Sequence, residues 1–339
     1  SNLDAASSGS SMTSTTIDGE SYKLEKSSTK YHLGDAITTV VSSTADDDDL
    51  PTLLADGVFI DDDNDEFDYT QKVTLKALSL VQFDDTDYDD GEPTLGYSIA
   101  AGADVLDYTI DFSDEPLLAD LATADLMLMG KNYYILSSSN DGSGNTILTL
   151  LDSASDTLLS EGESSTITAG SKSYTVAIDF VSSTEAKLTI NGETTNSLSE
   201  GQTYKLSDGS YVGLKDILYS SKDTGISKVE FSIGSGKLVL TSGSDIELNE
   251  DSIPDLSVTI TNTSTALQEI TINWDAEDDL FITPTSSISM PAFEALSLSF
   301  TGMNWPTEET IEITNDGDDS IKLNNFPLKD GEADINLLY

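Results

Sequence analysis

The sequence predicts an all-β protein: several β-sandwich (Ig-like) domains with at most one or two short helices. Three observations carry this. Apolar residues alternate with polar ones at a period of two in many short segments, tight-turn pairs punctuate the chain at short intervals, and helical periodicity is scarce. In residues 174–180, Tyr174, Val176, Ile178 and Phe180 alternate with Thr175, Ala177 and Asp179. Such a period places one set of side chains on a single face of a sheet. Similar alternation runs through residues 105–112, 229–233, 256–260, 270–274 and 296–300.

The turns are short. Asn191-Gly192 follows residues 188–190, Asp208-Gly209 follows residues 204–206, and Asp316-Gly317 separates residues 311–313 from 321–323. Each pair tolerates positive φ, as tight hairpins demand. The best helical candidate is residues 114–127. Asp114 caps it, Pro116 suits its first turn, and Leu117, Leu118, Leu121 and Ala124 form an apolar stripe.

Four regions follow. Residues 1–16 are a Ser/Thr-rich lead, read as a linker or an exchanged strand, and residues 17–127 form an acidic β-domain. Residues 128–249 form a β-domain with an internal repeat. In it Leu159-Ser160-Glu161-Gly162 recurs as Leu198-Ser199-Glu200-Gly201, and each copy is followed at the same offset by a Gly-Ser pair, Gly170-Ser171 and Gly209-Ser210. Two copies suggest related β-arches, since a solenoid needs about three repeats. Residues 250–339 read as a C-terminal Ig-like sandwich of roughly seven strands, with Pro254 near its entry.

Charge dominates the composition. The 339 residues carry 62 acids against 15 basic residues, all of them Lys, for a formal net charge of −47. Binding nucleic acid requires cationic side chains that displace counterions, so nucleic acid is not an expected partner. An anionic membrane surface is disfavoured for the same reason. Two carboxylates 6 Å apart repel by roughly 0.7 kcal/mol even in water, so such a chain calls for high salt or bound divalent cations. No apolar run approaches the ~18 residues of a membrane-spanning helix. The chain begins at Ser1, as a processed secreted protein or a fragment would. Any anchor is then expected in a membrane-bound partner or in a segment outside these residues. There are no cysteines, which removes disulfides, thiolate catalysis and Cys-ligated metals.

The acids gather in three clusters. Residues 46–49 are four consecutive Asp, read as solvated charge. The second cluster is Asp61, Asp62, Asp63, Asp65, Glu66 and Asp68. The third is Asp84, Asp85, Asp87, Asp89, Asp90 and Glu92. Calcium takes about six to eight oxygen ligands at roughly 2.3–2.6 Å, and Asp61, Asp63 and Asp65 offer carboxylates at alternate positions of one loop. An EF-hand is excluded, because Glu66 stands where that loop needs Gly and Lys72 where it needs a bidentate Glu. Calcium is therefore expected in a β-loop site completed by distant residues. Solvated charge is the competing reading of both clusters.

Other motifs read blandly. Asp223-Thr224-Gly225 resembles half of an aspartic-protease pair without its second copy, and a turn explains it. Gly234-Ser235-Gly236-Lys237 lacks phosphate-loop spacing and reads as a hairpin. His32, the single histidine, gives no Ser–His–Asp machinery. Paired carboxylates of a glycosidase normally lie in an aromatic cleft, and only Trp274 and Trp305 are available for one. Asn262-Thr263-Ser264 is an N-glycosylation sequon at the end of an alternating strand.

Four stretches resemble archaeal S-layer proteins, the methanococcal-type family and its relatives in small-celled archaea. They are DYTQKVTL (68–75), LMGKNYYILSSS (128–139), LTINGE (188–193) and GISKVEFSIGSGKLVL (225–240). The resemblance covers scattered parts of residues 57–253 and consists of strand phrasing, with no catalytic motif. It implies a non-enzymatic glycoprotein of the cell surface whose partner is itself, assembled into a paracrystalline coat with calcium. Alternatives are a subunit of an extracellular filament and a calcium-dependent adhesin or carbohydrate-binding surface protein.

Overall fold

The computed structural model describes residues 10–13, 20–24, 31–39, 41–83, 94–152, 154–222, 225–293, 295–302, 311–315, 320–328 and 331–338. Among them the chain is almost wholly antiparallel β, with a single 3-10 turn at Ile37–Thr39. It divides into two compact units, one of residues 1–50, 74–106 and 275–339, the other of residues 51–73 and 107–274.

The second unit holds a long sheet and a separate sandwich. The sheet runs in the order β4 (Gly57–Ile60), β5 (Glu66–Leu75), β8 (Asp104–Phe112), β23 (Leu267–Asp275), β22 (Asp251–Asn262), β21 (Ser244–Leu248), β20 (Gly236–Thr241), β11 (Thr146–Asp152), β10 (Lys131–Asn140) and β9 (Asp125–Leu128). Its end strands return to each other, β4 packing beside β9. The predicted alternation sets the inward face: Leu256, Val258 and Ile260 of β22 are buried, as are Ile270, Ile272 and Trp274 of β23. Phe59, Tyr69 and Phe112 fill the β4–β5 end, with Phe59 and Phe112 edge to face at 6.2 Å. A buried polar chain closes the curl. Gln71 donates to Ala55 O, Tyr108 OH donates to Gln71 Oε1, and the Met129 N–H donates to Tyr108 OH at 3.1 Å.

The sandwich packs β12 (Ser155–Ser160), β19 (Lys228–Gly234), β18 (Tyr211–Leu218) and β17 (Thr203–Lys205) against β13 (Ser164–Ala169), β14 (Lys172–Val181), β15 (Ala186–Ile190) and β16 (Glu193–Thr194). Val176, Ile178, Leu188, Leu214, Phe231 and Ile233 are among its shared core. The repeated tetrapeptides build the same turn twice. Ser160 N–H reaches the Glu163 carboxylate and Ser199 N–H the Gln202 amide oxygen. Gly162 and Gly201, at φ +78° and +76°, donate to Ile178 O and Leu214 O, each beside a β-bulge. The leading strands are exchanged between copies: β12 pairs with β19, and Leu198 bridges to Ala186 on β15.

The first unit contains the sheet β2 (Ser21–Lys23), β1 (Ser10–Thr13), β26 (Ser297–Phe300), β25 (Ser287–Ser289), and the sheet β24 (Leu280–Ile282), β7 (Thr94–Ile99), β6 (Leu80–Phe83). Part of the Ser/Thr-rich lead is thus a strand, β1, paired on both sides within its own chain. Beside residues 74–75, β3 (Thr44–Ala45) adds a short edge. The core includes Tyr97 against Phe300, edge to face at 5.4 Å. Gly96 permits close strand approach, since a Cβ there would stand 2.2 Å from Ile282 O. A further sheet consists of β27 (Glu312–Asn315), β28 (Ser320–Leu328) and β29 (Gly331–Leu338).

Three expectations are corrected. Residues 114–127 are not helical. Leu118 N–H donates to Thr265 O (2.8 Å), Leu267 N–H donates to Pro116 O (2.9 Å), and Thr123 sits at φ +72°. Pairing with the 263–267 turn overrides local propensity, so Leu121 and Ala124 are buried while Leu117 is exposed. Phe180 is also exposed, because a bulge between Ile178 and Phe180 reverses the alternation. The segment 234–237 is no hairpin. β19 and β20 belong to different sheets, and Ser235 crosses between them with its N–H on Asp152 O at 2.9 Å.

Candidate functional site: the acidic hairpin

The second acidic cluster caps the hairpin of β4 and β5. Asp61 organises the loop: its N–H donates to Asp65 O (3.1 Å), its carbonyl accepts from Asn64 N–H (3.1 Å), and its Oδ1 accepts from Asp65 N–H (2.8 Å). Asn64 takes φ +65°, a conformation Asn tolerates better than most residues. The loop is therefore a β-turn over residues 61–64 closed by the Asp61 carboxylate, and Asp61 is buried while Asp62, Asp63, Asp65 and Glu66 are exposed. Asp68 stands exposed on β5, and its carbonyl receives both Ser113 N–H and Ser113 Oγ at 3.0 Å. The stem is stiffened by the packing of Phe59 and Phe67, 6.4 Å apart.

The structure adds one acid that the sequence reading missed. Asp120 has its pKa pushed up, first by desolvation and then by the charges of Asp62, Asp63, Asp61 and Asp65. The segment leading to Asp120 is tied to β5 by the Ser113–Asp68 hydrogen bond and to the 263–267 turn by the Leu118–Thr265 bond. No sequence signal marked it, because it lies in the stretch read as a helix. The acids share a field, yet among the described residues no three Asp, Glu or His side chains converge as a ready metal cage. Asp61 also has one oxygen committed to the turn. A cation here would screen exposed surface carboxylates; the oxygens are not preset as a shell.

The remaining predicted residues fall elsewhere. Asp84, Asp85, Asp87, Asp89, Asp90 and Glu92 lie outside the described residues, as do Asp223 and Thr224. In the 46–49 run, Asp46 closes its own turn, accepting from Asp48 N–H through Oδ1 and from Leu50 N–H through its carbonyl. Asn262 is half-buried at the end of β22; its amide donates to Thr263 O (2.7 Å) and accepts from Thr146 Oγ1 (3.2 Å). His32 Nδ1 meets Asp35 Oδ2 at 3.0 Å.

A second polar cluster, unmarked in the sequence, lies on the sandwich. Asp208 contacts Lys172 Nζ (2.9 Å), Tyr174 OH (3.0 Å) and, through Oδ1, Ser210 N–H (3.0 Å). Partial burial acts to raise its pKa, but these bonds prevail and bring it down to about 2. Nearby Glu193 is lowered by the Ser207 N–H. Both stay ionised at neutral pH and act as acceptors. They line a small open cleft of about 70 Å³ with Tyr174, Ile190 and Asn191, far below the roughly 300–1,000 Å³ of typical ligand pockets.

Comparison with known proteins gave no match to a family model, to a curated protein or to a solved structure.

Proposed function

We propose that this chain is a structural component of a cell surface that assembles with copies of itself into an S-layer-like coat, with calcium joining acidic loops of neighbouring copies. The observation that carries the reading is the acidic hairpin, where Asp61, Asp62, Asp63 and Asp65 share one field with Asp120. Like charges gathered around one hairpin favour any partner that supplies positive charge. A divalent ion is the smallest such partner, and the open side of the loop leaves room for a neighbour's carboxylates to complete its shell. Stiff antiparallel modules fix the angle between such contacts, as non-closing assembly requires. On this reading the role is structural and extracellular, and Asn262 is the glycan acceptor.

Electron microscopy of the purified chain with calcium, and again after chelation at low ionic strength, tests this. Ordered sheets or tubes are expected with calcium and dispersed particles without it. In parallel, calcium should bring the Asp120 carboxyl pKa down towards its usual range by NMR titration. Lattices that persist after exhaustive chelation, or an Asp120 titration indifferent to calcium, would overturn the cation-joined coat.

A further inference from the structure

The sheet of β27, β28 and β29 has two unlike faces. Register places Ile313 beside Leu323 and Leu323 beside Ile335, while Ile321 pairs with Leu337 and Phe326 with Ala333. These side chains lie on one face, which bears no charged residue. The charges lie on the other, where Lys322 Nζ meets Asp334 Oδ2 at 2.7 Å and Asn324 bonds Thr314 at 3.0 Å. Such patterning normally marks a sheet with one face in a core. Here no residue of this sheet whose burial is described is buried: Ile321, Leu323, Phe326 and Ile335 are half-buried and Ile313 is 70% exposed. A three-stranded sheet needs its apolar face covered to be stable.

We propose that this face packs against the same face of a second copy, sheet on sheet about a two-fold axis. Charge selects the occupant. Two copies at −47 each repel wherever carboxylates meet, and this face brings apolar side chains to the contact while sending Glu312, Lys322, Glu332 and Asp334 to the far side. The surface is self-complementary, as an isologous contact requires, and stacked sheets accommodate it at about 10 Å spacing. Strands of four, nine and eight residues cover roughly 340 Å² per copy, under half of a standard interface's ~800 Å² per partner. The pair is therefore a weak, reversible dimer, strengthened by salt that screens the remaining surface charge. It does not depend on the calcium reading above.

The chain has no cysteine, so single replacements report cleanly. Full-length Leu323→Cys, on the apolar face, and Asn324→Cys, on the opposite face, are treated with a short bis-maleimide in chelator and moderate salt. Sedimentation of the unmodified chain over a concentration series runs alongside. The expected result is a covalent dimer from Leu323→Cys at least tenfold above that from Asn324→Cys, with a concentration-dependent dimer in sedimentation. A Leu323→Asp variant should raise the dimer dissociation constant at least tenfold. Equal cross-linking from both faces, or a monomer at every concentration, means that something else covers the face and overturns the proposal. Because chelator is present throughout, loss of calcium-dependent lattices leaves this result untouched.

Discussion

Replacing Tyr108 with Phe removes one oxygen from the centre of the long sheet. That hydroxyl donates to Gln71 Oε1 and accepts the Met129 N–H, and Tyr108, Gln71 and Met129 are 0%, 1% and 2% exposed. The ring stays and no cavity of consequence forms, so the cost is that of two buried polar groups left without a partner. At about 1–3 kcal/mol each, Tyr108→Phe should destabilise the second unit by about 3 kcal/mol. Gln71→Leu breaks the same link from the other side and also frees Ala55 O. In the double variant the Tyr108–Gln71 bond is lost only once. Its cost should fall short of the sum of the single variants by about 1–2 kcal/mol. Urea unfolding of the four proteins gives the cycle, and amide exchange at Met129 reports the bond directly. A Tyr108→Phe cost below about 0.5 kcal/mol, with the Met129 amide still protected, would refute the claim that this chain of hydrogen bonds holds the curl closed.

Two further outcomes are expected on the sandwich. Asp208, held down at about 2 against an ordinary 3.8, contributes stability that is present above pH 4 and lost as pH falls through about 2. With its side chain 38% exposed, screening reduces the contribution to about 1 kcal/mol. The stability difference between wild type and Asp208→Asn should shrink over that window, and an unchanged difference counts against the Lys172 contact. Gly162→Ala and Gly201→Ala both place a side chain at positive φ, which costs about 1–2 kcal/mol. Only at Gly201 would the new Cβ also meet Ser137 Cβ, at 3.3 Å. Gly201→Ala should therefore unfold in less urea than Gly162→Ala, and the reverse order would break the equivalence of the two turns.

Much of the fold was legible because strand faces follow a period that a sequence displays. Residues 256–260 and 270–274 read as half-buried strands and are so. The Asn191-Gly192 turn has both residues at positive φ, +49° and +88°. What escaped was decided by distant backbone. Residues 114–127 carry helix signals, but their free N–H and C=O groups find the 263–267 turn, a partner no local window contains. The bulge at Ile178 inserts one residue and turns Phe180 outwards, and a pattern of alternation gives no warning of it. The same limit applied to the acidic hairpin. Asp61, Asp62, Asp63 and Asp65 were evident as a cluster, but the turn-forming role of Asp61 depends on the Asp65 N–H, and Asp120 arrives through tertiary pairing.

The repeated tetrapeptide shows how far sequence similarity reaches into topology. Its two copies predict two similar turns, and they form. They do not predict that each leading strand crosses to the other copy's sheet, with β12 on β19 and Leu198 on β15. That exchange makes the sandwich a single cooperative body, since neither copy retains its own edge strand when separated. Lys131, Lys172, Lys205, Lys215 and Lys237 all pair with acids within the second unit, and Lys215, with a side chain 6% exposed, holds Glu230 at 2.9 Å. These lysines link strand to strand across the module. In the same unit the hairpin at residues 61–65 gathers acids that raise the pKa of Asp120. Internal cohesion rests on apolar packing, to which exposed lysine pairs add little, and the hairpin's negative charge is what the proposed cation would meet.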